Sequence, residues 1–254
     1  MAAAVSMKVA LVTGASYGVG AAIALALARD GFRIAATATR ERNLDATLAA
    51  LREVGRPAVA IELDLRSQSS IEKAAAAAIG TFGRIDVLVN NAGVNLRSKA
   101  IETAREDFEN VIAANVTGTF FLTQQIGRYL IAQGAPGRIV MIASAHGLVG
   151  AADRSAYGIS KAGILQMTRM LAIEWAEHGI TVNAIAPGRL DTASPSRAGT
   201  GSDKAYMEAM LKRIPLHRLA TADEVAAAAV FLTGPGAASI TGQTIVIDGG
   251  LTAT

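Results

Sequence analysis

The chain has 254 residues, of which 51% are hydrophobic and 18% are charged, and its formal net charge is +3. This composition allows a large buried core and excludes a disordered or fibrous protein. The basic residues are scattered and not clustered with aromatic residues, so no nucleic-acid partner is expected. The absence of cysteine excludes disulfides and cysteine-ligated metals, and the three histidines lack metal-site spacing.

No apolar run reaches the length of a membrane span, and the first residues lack the basic region that opens a secretory signal. We therefore expect no membrane association and a cytoplasmic location. No low-complexity linker or tandem repeat divides the sequence, so residues 1–254 are expected to form a single domain.

Apolar runs of strand length alternate along the chain with longer segments of helical pattern. This alternation predicts βαβ units with right-handed crossovers, and hence a parallel sheet covered by helices. The predicted strands are Val9–Thr13, Arg33–Ala38, Ala58–Glu62, Val87–Asn90, Arg138–Ala143, Thr181–Ala186 and Thr244–Ile247. The predicted helices are Gly20–Asp30, Asn43–Val54, Ser69–Thr81, Arg105–Gln133, Tyr157–His178, Asp203–Arg213 and Ala222–Thr233.

A glycine-rich turn joins the first predicted strand to the first predicted helix. Gly14, Gly18 and Gly20 allow the backbone to turn sharply and to approach a pyrophosphate closely. The free N–H groups at the helix start would then face the anion. The spacing G-x-x-x-G-x-G departs from the common G-x-G-x-x-G fingerprint, but the strand before it and the helix after it favour nucleotide binding.

The end of the second predicted strand bears on the choice of cofactor. Folds that bind NAD often have an acidic residue here, which bonds the 2′-hydroxyl of the ribose. This chain has Ala38, followed by Thr39, Arg40 and Arg42, whose hydroxyl and guanidinium groups suit the 2′-phosphate of NADP. The alternative is that both arginines form only a solvated helix start. The pattern favours NADP, with NAD as the second choice.

Asparagine residues mark two further positions. Asn90-Asn91-Ala92-Gly93 ends the fourth predicted strand, where the amides either tie down a loop near the cofactor or only stabilise a turn. Asn115 lies inside a predicted helix, where asparagine is mildly unfavourable. It is therefore expected to make a specific hydrogen bond, structural or catalytic.

Three residues of the second half of the chain predict acid–base chemistry. Tyr157 and Lys161 are spaced i, i+4, which places the phenol and the ammonium on one helix face, and Ser144 lies upstream at a strand end. The pKa of a phenol is ordinarily about 10, and a fixed cation beside it lowers that pKa toward neutrality. Each residue alone has a structural explanation, but together they suit proton transfer to or from a carbonyl or alcohol oxygen.

The stretch Arg189–Ser202 is irregular and contains Pro195 and two glycines. It follows the carboxyl end of a predicted strand, where open α/β sheets bind ligands. The sequence favours a substrate lid over about residues 189–213, with a disordered surface insertion as the alternative.

The order and spacing of these motifs resemble the classical short-chain dehydrogenase/reductase family from Val9 to Gly250. The resemblance implies a doubly wound, Rossmann-type seven-stranded α/β sheet with helices on both faces, assembled as a homotetramer. The motifs that carry it are Thr13-Gly-x-x-x-Gly-x-Gly20, Asp64, Asn90-Asn-Ala-Gly93, Asn115, Ser144, Tyr157-x-x-x-Lys161, Pro187-Gly188 with Thr192, and Asp248-Gly249-Gly250.

The resemblance also implies a role for each matching residue. Tyr157 would be the acid/base, Lys161 would lower its pKa and hold the nicotinamide ribose, Ser144 would hold the substrate oxygen, and Asn115 would position a water. The positions implied for cofactor contact are Gly14, Ser16, Tyr17, Gly18, Val19, Gly20, Thr39, Arg40, Asp64, Leu65, Asn91, Ala92, Gly93, Tyr157, Lys161, Pro187, Gly188, Leu190 and Thr192.

These features predict an NADP-preferring oxidoreductase that interconverts a small-molecule ketone and a secondary alcohol. One alternative is a 3-oxoacyl-acyl-carrier-protein or -CoA reductase of fatty-acid synthesis, because residues 214–225 are similar to those enzymes. Those enzymes usually present basic residues near the active-site entrance to dock their acidic carrier, but the comparable positions here hold Ala135 and His178. The lid region is also longer than is typical for those enzymes, and both differences weaken that alternative. A non-catalytic dinucleotide-binding regulator is the alternative from another class.

Overall fold

A seven-stranded parallel sheet forms the centre of the molecule, in the order β3-β2-β1-β4-β5-β6-β9. The computed structural model describes residues 7–191 and 204–253. The strands of this sheet are β1 (Val9–Val12), β2 (Arg33–Ala38), β3 (Ala58–Glu62), β4 (Val87–Asn90), β5 (Arg138–Ile142), β6 (Thr181–Pro187) and β9 (Thr244–Ile247). Two short strands, β7 (Leu190–Asp191) and β8 (Ala220–Thr221), pair separately in parallel.

Helices connect the strands and cover the sheet. They are α1 (Gly18–Arg29), α2 (Asp45–Glu53), α3 (Gln68–Phe82), α4 (Arg105–Ile112), α5 (Thr119–Ala132), α6 (Ser155–Trp175), α7 (Lys204–Lys212) and α8 (Ala222–Thr233). Ser67 caps the start of α3 by accepting from the Ser70 N–H, and Thr221 forms a capping box with Glu224 at the start of α8. No helix among the described residues is both long and apolar enough to cross a bilayer.

The core has two halves, one on each face of the sheet. Successive strand residues point to opposite faces, so Leu11 packs in one half and Val12 in the other. The first half joins the sheet to α3, α5 and α6, and the second joins it to α1, α2 and α8. Burial on both faces explains why the strands are almost continuously hydrophobic. The predicted doubly wound α/β fold is confirmed.

The predicted elements agree with the structure, with two differences. The seven strands of the main sheet occur as predicted, with ends that differ by at most one residue. The helix predicted over Arg105–Gln133 is interrupted by a π-helical segment, Ala113–Gly118, between α4 and α5. The pair β7–β8 was not predicted, because two-residue strands have no periodic pattern to detect.

The sheet order creates a cleft where the chain reverses its winding direction. Strand β2 lies on one side of β1 and β4 on the other, so loops leaving the carboxyl ends of β1 and β4 diverge. Ligands of open α/β sheets bind at such a switch point. Of the lid predicted over about residues 189–213, the segment 192–203 lies outside the described residues.

Candidate active site

Hydrogen bonds join the turn after β1 to the loop after β4 at the switch point. Thr13 Oγ1 accepts from the backbone N–H groups of Asn91 and Ala92 at 2.9 and 3.0 Å. Asn91 Nδ2 donates to the carbonyls of Thr13 and Gly14, each at 3.0 Å. These bonds hold the floor of the cleft together. Thr13 was not among the predicted contact positions, because only the folded chain brings residues 13 and 91 together.

Three glycines, Gly14, Gly18 and Gly20, keep side chains away from three positions around the start of α1. Gly14 and Gly18 have φ of +63° and +59°, a region that favours glycine. A side chain on Gly20 would collide with the Gly14 carbonyl and would lie 2.5 Å from Asn91 Nδ2. Tyr17, at the N-cap, is exposed, and the other predicted contact positions of the turn, Ser16 and Val19, are half-buried. This open helix start can receive a phosphate.

The carboxyl ends of β2 and β3 present charged side chains beside the turn. Thr39 and Arg40 are exposed, and the Arg40 side chain makes no hydrogen bond or ion pair within the described residues. Asp64 follows β3 and pairs with Arg66 at 2.9 Å, and the hydrogen bond from Arg66 lowers the pKa of Asp64. Leu65 is buried, and its carbonyl packs where a side chain on Gly118 would stand.

Helix α6 places Tyr157 and Lys161 side by side. Lys161 Nζ lies 5.8 Å from the centroid of the Tyr157 ring and donates to the Ile142 carbonyl at 2.7 Å. The lysine is only 6% exposed, and this burial lowers the pKa of its ammonium to about 8. Gly93 leaves the space beside it open, since a side chain there would lie 3.7 Å from Nζ. The ammonium is thus a fixed cation next to the phenol.

Ser144 reaches the same place from the loop after β5. It is buried, and its Oγ accepts from the backbone N–H of His146 at 3.2 Å. The His146 ring packs edge-on against Tyr157, with ring centroids 6.4 Å apart. Because His146 contacts both residues, the structure brings the predicted serine and tyrosine to one wall of the cleft.

Asn115 links three parts of the site from within the π-helical segment. Its Oδ1 accepts from the Val94 N–H at 2.6 Å, and its Nδ2 donates to the Val94 carbonyl and to Ser160 Oγ, each at 2.9 Å. Ser160 Oγ donates in turn to the Tyr157 carbonyl at 2.7 Å. Ser160 was not predicted as a site residue, although its place beside Lys161 on the buried face of the helix was a usable signal.

The loop after β6 forms the other end of the cleft. Gly188 donates its N–H to the Ile247 carbonyl at 2.8 Å, and a side chain there would lie 2.8 Å from Asp248 Cβ. Pro187 ends β6, and Leu190 is buried in β7. The structure therefore places Pro187 and Gly188 at the carboxyl end of β6 and Leu190 in the second half of the core, while Thr192 lies outside the described residues.

Comparison with known proteins gives the family. The family profile described as enoyl-(acyl carrier protein) reductase matches residues 14–252. A short-chain dehydrogenase/reductase of Armillaria gallica is 40% identical over 96% of this chain and 95% of its own. The D-threitol dehydrogenase of Mycolicibacterium smegmatis is 40% identical over 96% of this chain and 93% of its own. The 3-oxoacyl-[acyl-carrier-protein] reductase of Synechocystis is 37% identical over 98% of both chains.

Solved structures agree with this result. A structure described as a short-chain alcohol dehydrogenase of Sinorhizobium meliloti 1021 has a TM-score of 0.94, with 39% identity and 98% of each chain covered. A structure described as a 2-deoxy-D-gluconate 3-dehydrogenase of Agrobacterium tumefaciens, with bound NADP, has a TM-score of 0.90 at 35% identity, with 98% of each chain covered. A variant of actinorhodin polyketide ketoreductase, solved with NADPH, has a TM-score of 0.92 at 38% identity, again with 98% of each chain covered.

The chain belongs to the short-chain dehydrogenase/reductase family. It is accordingly a nicotinamide-dependent oxidoreductase of the class that acts on alcohols and ketones.

Proposed function

We propose that the chain is an NADP-preferring oxidoreductase that interconverts a small-molecule ketone and a secondary alcohol, with Tyr157 as the acid/base. The observation that carries this proposal is the buried Lys161 ammonium, 5.8 Å from the Tyr157 ring centroid, with Ser144 on the same wall. Among the described residues no carboxylate contacts this ammonium, so its charge favours the phenolate of Tyr157 by lowering the free energy of the charged form.

The residues of the cleft fit a dinucleotide. The start of α1 offers backbone N–H groups, and a side chain on Gly18 would meet nothing within 4 Å, so the space in front of the helix start is open to a pyrophosphate. Glycine at positions 14 and 20 lets the turn pack closely, since a side chain at either position would collide with neighbouring protein atoms. The exposed guanidinium of Arg40, with Thr39 beside it, suits a 2′-phosphate, and two of the structural neighbours were solved with NADP or NADPH. Bound there, the nicotinamide ring supplies or accepts the hydride.

The protein side of the reaction is proton transfer. In ketone reduction Tyr157 donates its phenolic proton to the carbonyl oxygen, and in alcohol oxidation the phenolate takes that proton back. Ser144 Oγ already accepts a bond from His146, so its own hydrogen is available to the same substrate oxygen. Asn115 Nδ2 donates both of its hydrogens within the protein, so this amide N–H group would not itself donate to a relaying water near Lys161.

A homotetramer remains the proposed assembly. Large apolar side chains are exposed on α6, where Ile173 is 77% exposed, and on α8, where Phe231 is 48% exposed. These helices cover opposite faces of the sheet, so they offer two separate surfaces for copies of the chain.

The lid over residues 189–213 and the cytoplasmic location also remain predictions.

Reduction of 3-oxoacyl thioesters is the second candidate, since the Synechocystis reductase is 37% identical over 98% of both chains. Purified protein should be screened with ketoacyl thioesters, sugars and diketones against both nicotinamide cofactors. Preference for ketoacyl thioesters over the other ketones would favour this second candidate.

Tyr157→Phe tests the proposed role directly. The variant keeps the ring that packs against His146 but lacks the titrating oxygen, so turnover should fall by about 10²–10⁴-fold. NADPH affinity, measured by fluorescence titration, should stay within a few-fold of wild type. A variant that keeps most of the wild-type rate would remove Tyr157 from the mechanism.

A further inference from the structure

One buried polar atom in the wall of the candidate active site has no hydrogen-bond partner among the residues that the structure describes. His146 Nδ1 is shielded from solvent and makes no hydrogen bond within the described residues. The ring itself is held in place, because the His146 N–H donates to Ser144 Oγ at 3.2 Å and the ring packs edge-on against Tyr157. The backbone of His146 also lies close to α6, since a side chain on Gly158 would lie 2.9 Å from the His146 carbonyl. The imidazole is therefore a preorganised part of the wall.

The charge state of this ring follows from its surroundings. Burial and the nearby positive charge of Arg154 lower the pKa of His146, so the imidazole is neutral at neutral pH. Arg154 is fixed there by hydrogen bonds from Nη1 to Asn95 Oδ1 at 2.6 Å and to the Leu96 carbonyl at 3.4 Å. A neutral imidazole has one N–H donor and one acceptor nitrogen.

The position of the single proton follows from the burial of Nδ1. An enclosed N–H without a partner is rarer in proteins than an enclosed acceptor without one. The proton is therefore assigned to Nε2, which is not enclosed in this way and also makes no hydrogen bond within the described residues. His146 thus offers one neutral N–H donor beside Ser144 and Tyr157.

We propose that His146 is a specificity-determining residue whose Nε2–H binds an oxygen on the carbon next to the reacting carbon. Ser144 and Tyr157 would hold the reacting oxygen, and His146 contacts both of them, which places its imidazole beside the carbons that flank the reacting carbon. The substrate class is then α-hydroxy ketones and the corresponding vicinal diols. A 3-oxoacyl thioester has a methylene group at that carbon and gives the donor no partner. This inference rests on the proposed function.

Matched substrates test the inference. Acetoin and 2-butanone, and 2-hydroxycyclohexanone and cyclohexanone, differ only by the hydroxyl group next to the carbonyl. With NADPH, the wild-type kcat/KM should favour the hydroxy ketone of each pair by at least about tenfold, because the plain ketone leaves a polar group of the site unpaired. Equal values for both members of each pair would overturn the inference and leave the proposed function standing. Failure to reduce any ketone with either cofactor would overturn both.

Variants of His146 separate specificity from structure. His146→Phe keeps the ring against Tyr157 but removes the donor, so it should lower kcat/KM about tenfold for hydroxy ketones and little for plain ketones. His146→Gln places an amide N–H near the position of Nε2 and should restore most of the preference. An equal loss with both members of a pair would make His146 a structural residue only.

A spectroscopic measurement tests the same inference without turnover. The ¹⁵N signals of the three histidines can be assigned by their loss in variants. At pH 7 the ring of His146 should be neutral with its proton on Nε2, and the Nε2–H signal should shift when a hydroxy ketone is added to the complex with NADP⁺. A proton on Nδ1, a charged ring or an unchanged signal would overturn the inference.

Discussion

Lys161, for which a catalytic role is proposed, also carries a cost in stability. Its ammonium is buried, and among the described residues it contacts the Ile142 carbonyl and the face of the Tyr157 ring. Burial lowers its pKa from 10.5 to about 8, so folding is disfavoured while the unfolded chain holds the proton more tightly. The cost is largest below pH 8 and shrinks as the pH rises from 8 toward 10.5. The cation is retained despite this cost, as a functional site would require.

The variant Lys161→Met should therefore change the pH dependence of stability. The free energy of unfolding of the wild type, relative to that of the variant, should rise by about 1 kcal/mol between pH 7 and pH 9. Denaturant unfolding of both proteins without cofactor measures this difference. Lys73→Met, at an exposed position of α3, is the matched control and should show no such rise. Parallel curves for wild type and Lys161→Met would contradict the burial argument.

Arg40 is the residue on which the cofactor preference is expected to depend. Arg40→Asp would place a carboxylate where a 2′-phosphate is expected, so the ratio of kcat/KM for NADPH to that for NADH should fall by at least about tenfold. Arg42→Asp makes the same charge change two residues away and should have the smaller effect. An unchanged ratio in Arg40→Asp would assign the phosphate to Thr39 or Arg42.

At the scale of the element, the β1–α1 turn depends on the absence of side chains. Gly20→Ala would push a methyl group into the Gly14 carbonyl and Asn91 Nδ2, displacing the start of α1. NADPH affinity should fall by at least about tenfold, because the N–H groups no longer converge on the pyrophosphate. Isothermal titration calorimetry gives the affinity, and circular dichroism shows whether the fold is kept.

Gly80→Ala is the matched control for this change. Gly80 is also helical, in α3, but a side chain there meets nothing within 4 Å. The variant should bind NADPH like wild type and should gain up to about 1 kcal/mol of stability, since alanine favours the helix over glycine. Equal cofactor affinities in Gly20→Ala and Gly80→Ala would show that the turn is not part of the binding site.

At the scale of the whole molecule, the exposed apolar side chains predict the assembly. If α6 and α8 form separate interfaces, Ile173→Glu and Phe231→Glu should each convert a tetramer to a dimer, and the double variant should be monomeric. Sedimentation velocity measures the species. Ile101→Glu changes a side chain that is 93% exposed in the loop before α4 and should leave the assembly intact. A monomeric wild type would contradict the proposed homotetramer.

Much of the fold and part of the site could be predicted from local patterns. The strands were predictable because burial on both faces makes each of them a short apolar run between turns. The pairing of Tyr157 with Lys161 followed from helical periodicity, since both residues lie on one helix. The same applies to the glycines of the β1–α1 turn, whose backbone conformation is a local property.

Other features depend on contacts between residues that are far apart in the sequence. The π-helical segment coincides with the two hydrogen bonds between Asn115 and the backbone of Val94 and with the Leu65 carbonyl packed against Gly118. Thr13, Ser160 and His146 acquire their positions only when β1, β4, β5 and α6 are assembled. Local sequence patterns were enough to predict the class of fold, the glycine turn after β1 and the placement of Tyr157 beside Lys161 on one helix face. Which atoms are enclosed and which face the cleft depended on long-range packing, because burial is a property of the packed molecule.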